Sequence, residues 1–260
     1  MLSAIIVAAG SSERMGFDKL FALVSGKPII AHTIAAFERT DCVDEIVLVG
    51  RTDCLDELRK VVGQPTKVTQ IVEGGAERSD SVQAGLDHVN PKSDFVAVHD
   101  AARPMITPEK ITRVFEVCRN SGGAATLAEP INDTLKRADL AAVASAKEAG
   151  DLTIKESVDR NGVYGMQTPQ VFAKKLLEEA YDLVARKKIS VTDEVSAVEL
   201  LGRKVVLVPN HDFNFKITYP RDLPLAEFVL NGRPWRFSFA VSNSLTRTIF
   251  PCFQIQASEL

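Results

Sequence analysis

The stretch Ala4-Ile5-Ile6-Val7-Ala8-Ala9-Gly10-Ser11-Ser12 decides the fold of this 260-residue chain. Residues 4–9 carry no charge and read as a short buried strand, and Gly10-Ser11-Ser12 gives a tight turn of small residues. Glu13, Arg14, Met15, Gly16, Phe17, Asp18 and Lys19 follow. A strand that runs into a glycine turn frees backbone N–H groups at one point. Arg14 and Lys19 bring positive charge to the same point, a combination that suits a polyphosphate. A Walker A loop would end in Gly-Lys-Ser/Thr, which this loop lacks. A dinucleotide fingerprint needs Gly-x-Gly-x-x-Gly, and only Gly10 and Gly16 are present. A plain solvated turn is the third reading.

Outward from this loop, strand and helix patterns alternate. Pro28 stands at a first helical position, with Ile30, Ile34 and Phe37 at helical spacing behind it. Strands are predicted at residues 45–49, 68–72, 95–98 and 124–128. Between them come helices marked by Leu55, Leu58 and Val62, by Val82 and Leu86 after Ser79, and by Ile111, Val114, Phe115 and Cys118. Thr107-Pro108 opens the last of these and Gly122-Gly123 ends it. This β-α-β-α rhythm predicts a mostly parallel, doubly wound, Rossmann-like sheet with helices on both faces. In such sheets ligands lie at the carboxyl ends of strands, where both Gly10 and His99-Asp100 fall.

The rhythm breaks after Pro130. Residues 134–137 and 152–158 are strand-like and flank Ala-rich sequence from Asp139 to Gly150, which predicts a protruding β-arm at about residues 132–160 with an insertion near its tip. A core helix over 138–149 is the alternative, but its Ala residues would bury little area. Beyond the arm, Gln167-Thr168-Pro169-Gln170 precedes a helix through Leu176, Leu177, Ala180 and Val184. A second helix is capped by Thr192 and stopped by Gly202. Residues 204–208 and 214–218 read as strands, and a final helix runs from about Pro220 to Leu230. Residues 1–230 then form one domain, and the aromatic stretch 231–260 is a tail without an assigned role.

The bulk numbers narrow the class. Apolar residues make up 45% of the chain and charged residues 25%, ample for a globular core. The formal net charge of −3 gives no global attraction to nucleic acid or anionic membrane, so a nucleotide would need a local cationic pocket. No apolar run approaches the roughly 18 residues of a membrane span. No basic segment precedes the first apolar run, so a signal peptide is not predicted. Cys42, Cys54, Cys118 and Cys252 lack metal-ligand spacing, which predicts reduced thiols in a cytoplasmic protein.

Two further segments carry chemistry. His99-Asp100-Ala101-Ala102-Arg103-Pro104 follows a buried strand directly. Asp100 there can hold Mg²⁺ through oxygen, and Arg103 can clamp a phosphate; a mere turn cap is the alternative for Asp100. His99 reads as structural, and His32, His88 and His211 are scattered without ligand spacing. Glu73-Gly74-Gly75-Ala76-Glu77-Arg78-Ser79-Asp80-Ser81 is a second glycine loop opening a helix, whose backbone and Ser81 could read a nucleobase edge; a plain loop with a helix cap is the alternative.

Together these pieces resemble the 2-C-methyl-D-erythritol 4-phosphate cytidylyltransferase family. The matching segments are Ala8-Ala9-Gly10 with Arg14 and Lys19, Gly74-Gly75 with Glu77-Arg78 and Asp80-Ser81-Val82, and His99 to Pro104. Asp133-Thr134, Val158-Asp159-Arg160, Gln167 to Gln170, Thr192-Asp193-Glu194 and Lys216-Ile217-Thr218 extend the match to about residue 230. The resemblance implies CTP and a sugar-alcohol phosphate as substrates, Mg²⁺ as cofactor and a homodimer. It implies catalytic roles for Arg14, Lys19, Arg160 and Lys216. It implies substrate binding by Ala8, Ala9, Gly10, Gly74, Gly75, Ser81, Asp100, Ala101, Arg103, Thr134 and Thr192, with Asp100 also at the metal. Thr134 and Arg160, on the arm, would serve the neighbouring subunit's site. Phe213 stands where the family often has an acidic residue, with Asp212 beside it. The alternatives are a ribitol-5-phosphate cytidylyltransferase, which tends to have Ser-Val where Ala101-Ala102 stands here, and a binding protein without turnover.

Overall fold

The computed structural model describes residues 1–10, 15–64, 66–139 and 152–232. Arg14, most of the Ala-rich segment after Asp139, and Trp235, Phe237 and Phe239 of the tail lie outside the described residues.

The elements run β1 (Leu2–Ala8), β2 (Leu23–Val24), β3 (Lys27–Pro28), α1 (Ile29–Glu38), β4 (Glu45–Gly50), α2 (Leu55–Val61), β5 (Val68–Glu73), α3 (Arg78–Asp87), β6 (Phe95–Asp100), α4 (Pro108–Asn120) and β7 (Ala124–Pro130). Then come β8 (Leu135–Ala138), β9 (Ile154–Val158), β10 (Tyr164–Ala173), α5 (Lys174–Lys187), α6 (Glu194–Glu199), β11 (Val206–Pro209) and α7 (Asp222–Asn231). Among the described residues seven strands form one sheet in the order β11-β7-β10-β6-β1-β4-β5. β1 is parallel to β4 and β6, β4 to β5, and β11 to β7; β10 alone among them runs antiparallel to its neighbours.

β1 lies in the middle of the sheet because every side chain on it can be buried. Ile6, Ala4 and Leu2 pack with α1 and α4 on one face; Ile5 packs with α3, α5 and α6 on the other. Ile5 and Ile6 are both fully buried, worth roughly 1.5–3 kcal/mol each. The doubly wound expectation is therefore met. The chain passes to β4 on one side of β1 and returns to β6 on the other, so the switch point lies between β1 and β6, where Val7 pairs with Asp100.

Several local expectations shift. Pro28 closes β3 and caps α1 rather than opening it, because its extended ψ of 142° lets it pair with Leu23. α3 starts at Arg78, one residue before Ser79, because Glu77 and Asp80 form a reciprocal capping box. α6 is capped by Asp193, not Thr192: its carboxylate accepts from Ser196 N at 3.0 Å, and a charged acceptor suits a helix N-terminus better than a hydroxyl. Residues 214–218 form no strand. Their carbonyls are taken by side-chain cations: Asn214 O accepts from Arg103 at 2.9 Å and Ile217 O from Lys19 at 2.9 Å. The arm expectation holds for its two strands. β8 and β9 pair antiparallel as a separate two-stranded sheet joining β7 to β10.

Candidate active site

The carboxyl ends of β1 and β6 bring the Gly10 loop and the His99 to Pro104 segment together. Ala8 and Ala9 end at Gly10, whose carbonyl accepts from Arg51 at 3.0 Å. The same guanidinium pairs with Asp18 at 2.7 Å, so one cation holds both described ends of the loop. Ala101 N–H donates to Val7 O at 3.0 Å, and Ala101 O accepts from Thr33 at 2.8 Å, which fixes the turn after β6.

Asp100 is the electrostatic centre. Its carboxylate has Lys216 at 3.1 Å, Arg103 at 3.4 Å and Arg78 at 3.4 Å. Burial alone would raise this carboxyl, but Lys216, Arg78 and Arg103 outweigh it and hold Asp100 well below the usual carboxylate range. Lys19 is buried nearby along the chain path: the residue whose carbonyl it grips, Ile217, follows Lys216 directly.

His99 is fully buried under this cluster. Thr168 Oγ1 accepts from Asp100 N–H at 3.1 Å and lies 2.9 Å from His99 Nδ1, while His99 Nε2 lies 3.3 Å from Arg103 O. A carbonyl can only accept, so Nε2 carries the hydrogen and Nδ1 accepts from the threonine hydroxyl. Burial, assisted by Arg103 and Lys216, pushes the ring down to about 3 against the opposing pull of Asp100. His99 is thus a neutral strut for the Asp100–Arg103 turn, as the sequence reading has it.

The second glycine loop packs against the first. A Cβ on Gly74 would come within 2.6 Å of Ala9 Cβ and 2.7 Å of Ser81 Oγ. One on Gly75 would meet Asp80 Cβ at 2.2 Å. Only glycine permits this approach, and it brings Ser81, itself buried, onto the same wall as Ala9.

The structure thus joins Ala8, Ala9, Gly10, Lys19, Gly74, Gly75, Ser81, Asp100, Ala101, Arg103 and Lys216. Thr192 precedes α6, with its hydroxyl 3.4 Å from Ser196 Oγ. Thr134 and Arg160 lie at the arm, where Arg160 bonds the Asn132 carbonyl. Asp212 pairs with Lys110 at 3.4 Å and is largely exposed, so its contact is away from Asp100.

Two residues without an assigned role emerge. Arg78 forks onto Glu194, with Nη1 to Oε1 at 2.6 Å and Nη2 to Oε2 at 3.0 Å. Glu194 is fully buried and also accepts from Tyr181 at 3.0 Å. Both residues stand in the motif segments, but nothing in a sequence announces a pairing across 116 positions.

Among the described residues no group of three or more His, Cys, Asp or Glu could hold a metal by itself. The donors nevertheless fit Mg²⁺ carried chiefly by a nucleotide, since that ion typically takes one or two carboxylates plus phosphate oxygens. Asp100 is ionised and supplies one such carboxylate.

A crowd of cations around one carboxylate, next to a glycine loop at a sheet's switch point, defines a nucleotide-handling α/β enzyme of the nucleotidyltransferase class. The family described as "IspD: 2-C-methyl-D-erythritol 4-phosphate cytidylyltransferase" matches residues 2–232, and the chain belongs to that family. It is 37% identical over 236 residues to the 2-C-methyl-D-erythritol 4-phosphate cytidylyltransferase of Alkaliphilus oremlandii, covering 89% of this chain and 95% of that one. Its relative in Syntrophus aciditrophicus is 37% identical over 238 residues, covering 90% and 97%. Among solved structures, the 4-diphosphocytidyl-2C-methyl-D-erythritol synthase of Anaerococcus prevotii superposes with a TM-score of 0.75 at 30% identity, covering 89% of this chain and 98% of that one. The Thermus thermophilus cytidylyltransferase gives 0.69 at 30% identity, covering 89% and 100%.

Proposed function

We infer that this chain transfers the cytidylyl group of CTP to 2-C-methyl-D-erythritol 4-phosphate, giving 4-diphosphocytidyl-2-C-methyl-D-erythritol and pyrophosphate. The observation that carries this reading is the set of cations Lys216, Arg103 and Arg78 on Asp100, in a chain whose relatives of matching length bear that activity in their names.

The attacking group is a phosphate monoester oxygen, largely dianionic at neutral pH because its second pKa is about 6. It needs no general base, and His99, neutral with both nitrogens engaged, is not built to be one. The work left to the protein is positioning and charge neutralisation. In this reading Arg14 and Lys19 face the triphosphate, with Lys19 supported by the Ile217 carbonyl. Backbone groups of Ala8, Ala9 and Gly10 line its path. Gly74, Gly75 and Ser81 read the cytosine edge. Asp100 and Ala101 meet the ribose, and Arg103, Thr192 and Lys216 hold the sugar phosphate. Asp100 would hold Mg²⁺ together with the nucleotide's own phosphate oxygens. When bound, such an ion would supply charge neutralisation on the triphosphate and polarisation of the α-phosphate. Thr134 and Arg160 reach the site of the neighbouring subunit in a homodimer. Support for that assignment comes from the arm standing as a sheet of its own, since an isolated two-stranded ribbon needs a surface to pack on.

Pyrophosphate release should be measured with CTP and, side by side, 2-C-methyl-D-erythritol 4-phosphate and ribitol 5-phosphate. The reading requires faster turnover of the methylerythritol substrate. Faster turnover of ribitol 5-phosphate would replace it, and CTP binding without release would indicate a binding protein.

A further inference from the structure

The Arg78–Glu194 pair has a geometry that the transfer chemistry does not by itself require. Glu194 is fully buried, beyond the reach of any substrate, and both its oxygens are spent on Arg78 with a third bond from Tyr181. The fork uses Nη1 and Nη2, which leaves Nε as the Arg78 donor that faces Asp100, 3.4 Å away. Arg78 is also the first residue of α3, whose start is fixed by the Glu77–Asp80 capping box and which carries Ser81 one turn on. α6 is anchored in turn: Gln170 donates to Asp193 at 3.0 Å and accepts from Val195 N–H at 3.1 Å. One guanidinium therefore ties three elements: α6 through Glu194, α3 through its own backbone, and β6 through Asp100.

We propose that Arg78, held by Glu194, is a positioning residue that sets the Asp100 carboxylate for the transfer step. A buried ion pair is a weak device for stability but a strong one for geometry, since a well-packed apolar pair of similar volume is often as stable. Without the fork, Arg78 would be free to swing its Nη groups onto Asp100 or onto a phosphate, and the carboxylate would lose its fixed neighbour. Without Arg78, Asp100 keeps Lys216 and Arg103, both of which the proposed function assigns to the sugar phosphate. The proposal rests on the reading of Asp100 as the carboxylate that faces the nucleotide and its metal.

The test separates geometry from folding. Arg78→Met leaves Glu194 as a buried unpaired charge and should lower both thermal stability and kcat. Adding Glu194→Gln removes that charge, so stability should return to within a few degrees of the parent. kcat should stay down about tenfold or more, because small misplacements at a reacting centre are costly. Equilibrium binding of CTP and its KM should stay within about twofold in the double variant, since the base-reading loop is intact. Recovery of kcat together with stability would overturn the proposal. If the double variant does not fold, Arg78→Lys decides, because it keeps a cation against Glu194 but lacks the fork. Lowered kcat with retained CTP binding supports the proposal there, and parental kcat overturns it. Asp100→Asn is run in parallel: full activity in that variant would defeat the reading of the site itself, whereas a crippled Asp100→Asn beside a fully active Arg78→Lys would defeat only the positioning role.

Discussion

Lys19 Nζ donates to the Ile217 carbonyl at 2.9 Å, joining the loop after β1 to the one between β11 and α7. The bond anchors a buried ammonium on the residue that follows Lys216, so cations from two distant parts of the chain meet on one short stretch of backbone.

Lys19→Ala should lower kcat by about 10²–10³-fold and raise substrate KM far less, because a fixed cation gains most as charge develops in the transition state. Steady-state kinetics with CTP and sugar phosphate varied in turn will show the split. An unchanged kcat would remove Lys19 from the mechanism. The lost hydrogen bond itself should cost only about 1 kcal/mol of stability.

Asp100→Asn should weaken the response to Mg²⁺, because a neutral amide is a poorer ligand for a hard cation. It also leaves Lys216, Arg103 and Arg78 facing one another without their shared counter-charge. A stability loss of about 3 kcal/mol is expected, the usual scale for breaking a buried ion network. Activity titrated against Mg²⁺, with urea unfolding alongside, measures both. An unchanged magnesium curve would mean that the phosphates alone hold the ion.

His99 predicts an acid-side slope in stability. Its folded value is lowered to about 3, against about 6.5 in an unfolded chain. Between those values the unfolded state binds the extra proton, so stability is fully present above about pH 6.5 and declines as pH falls toward 3. The slope reaches about 1.4 kcal/mol per pH unit. In His99→Gln, thermal midpoints measured from pH 7 to pH 4 should fall less steeply than in the parent. Parallel curves would show that other groups set the slope.

Arg160 should act on the neighbouring subunit. Lys19→Ala and Arg160→Ala proteins, each inactive alone, should regain activity when mixed under conditions of subunit exchange, because one site of the heterodimer is then intact. If Arg160 serves its own subunit, every site keeps one defect and nothing returns. Exchange itself must be checked with labelled subunits.

The sheet was legible wherever burial is two-sided. β1, β4 and β6 read as uninterrupted apolar runs because helices cover both faces, and their carboxyl ends then located Gly10 and Asp100. β10 was not legible. Its middle, Gln167-Thr168-Pro169-Gln170, is polar and contains proline, and it is tolerated inside because each polar group has a partner: Gln167 meets Glu129, Thr168 meets His99 and Gln170 meets Asp193. The motif segments located Lys19, Asp100, Arg103 and Lys216, but not what they touch. The Arg78–Glu194 fork and the Arg51 clasp on Gly10 and Asp18 depend on long-range folding, which no local pattern encodes. The strand read over residues 214–218 failed for a related reason: apolar alternation cannot reveal that two distant cations will claim the carbonyls.

The reversed direction of β10 has a consequence for how this chain can vary. β7 ends, and β10 begins, with Pro130 paired to Tyr164, so the arm leaves and re-enters the domain at a single point. A parallel β10 would have required a crossover back to the amino end of β7, and the two strand ends would not have met. Within the arm, Ala138 and Ile154 are paired in turn, which closes the described part of the arm at a second point. Residues within β8 and β9 can therefore vary in evolution without disturbing the register that holds β10 to β7.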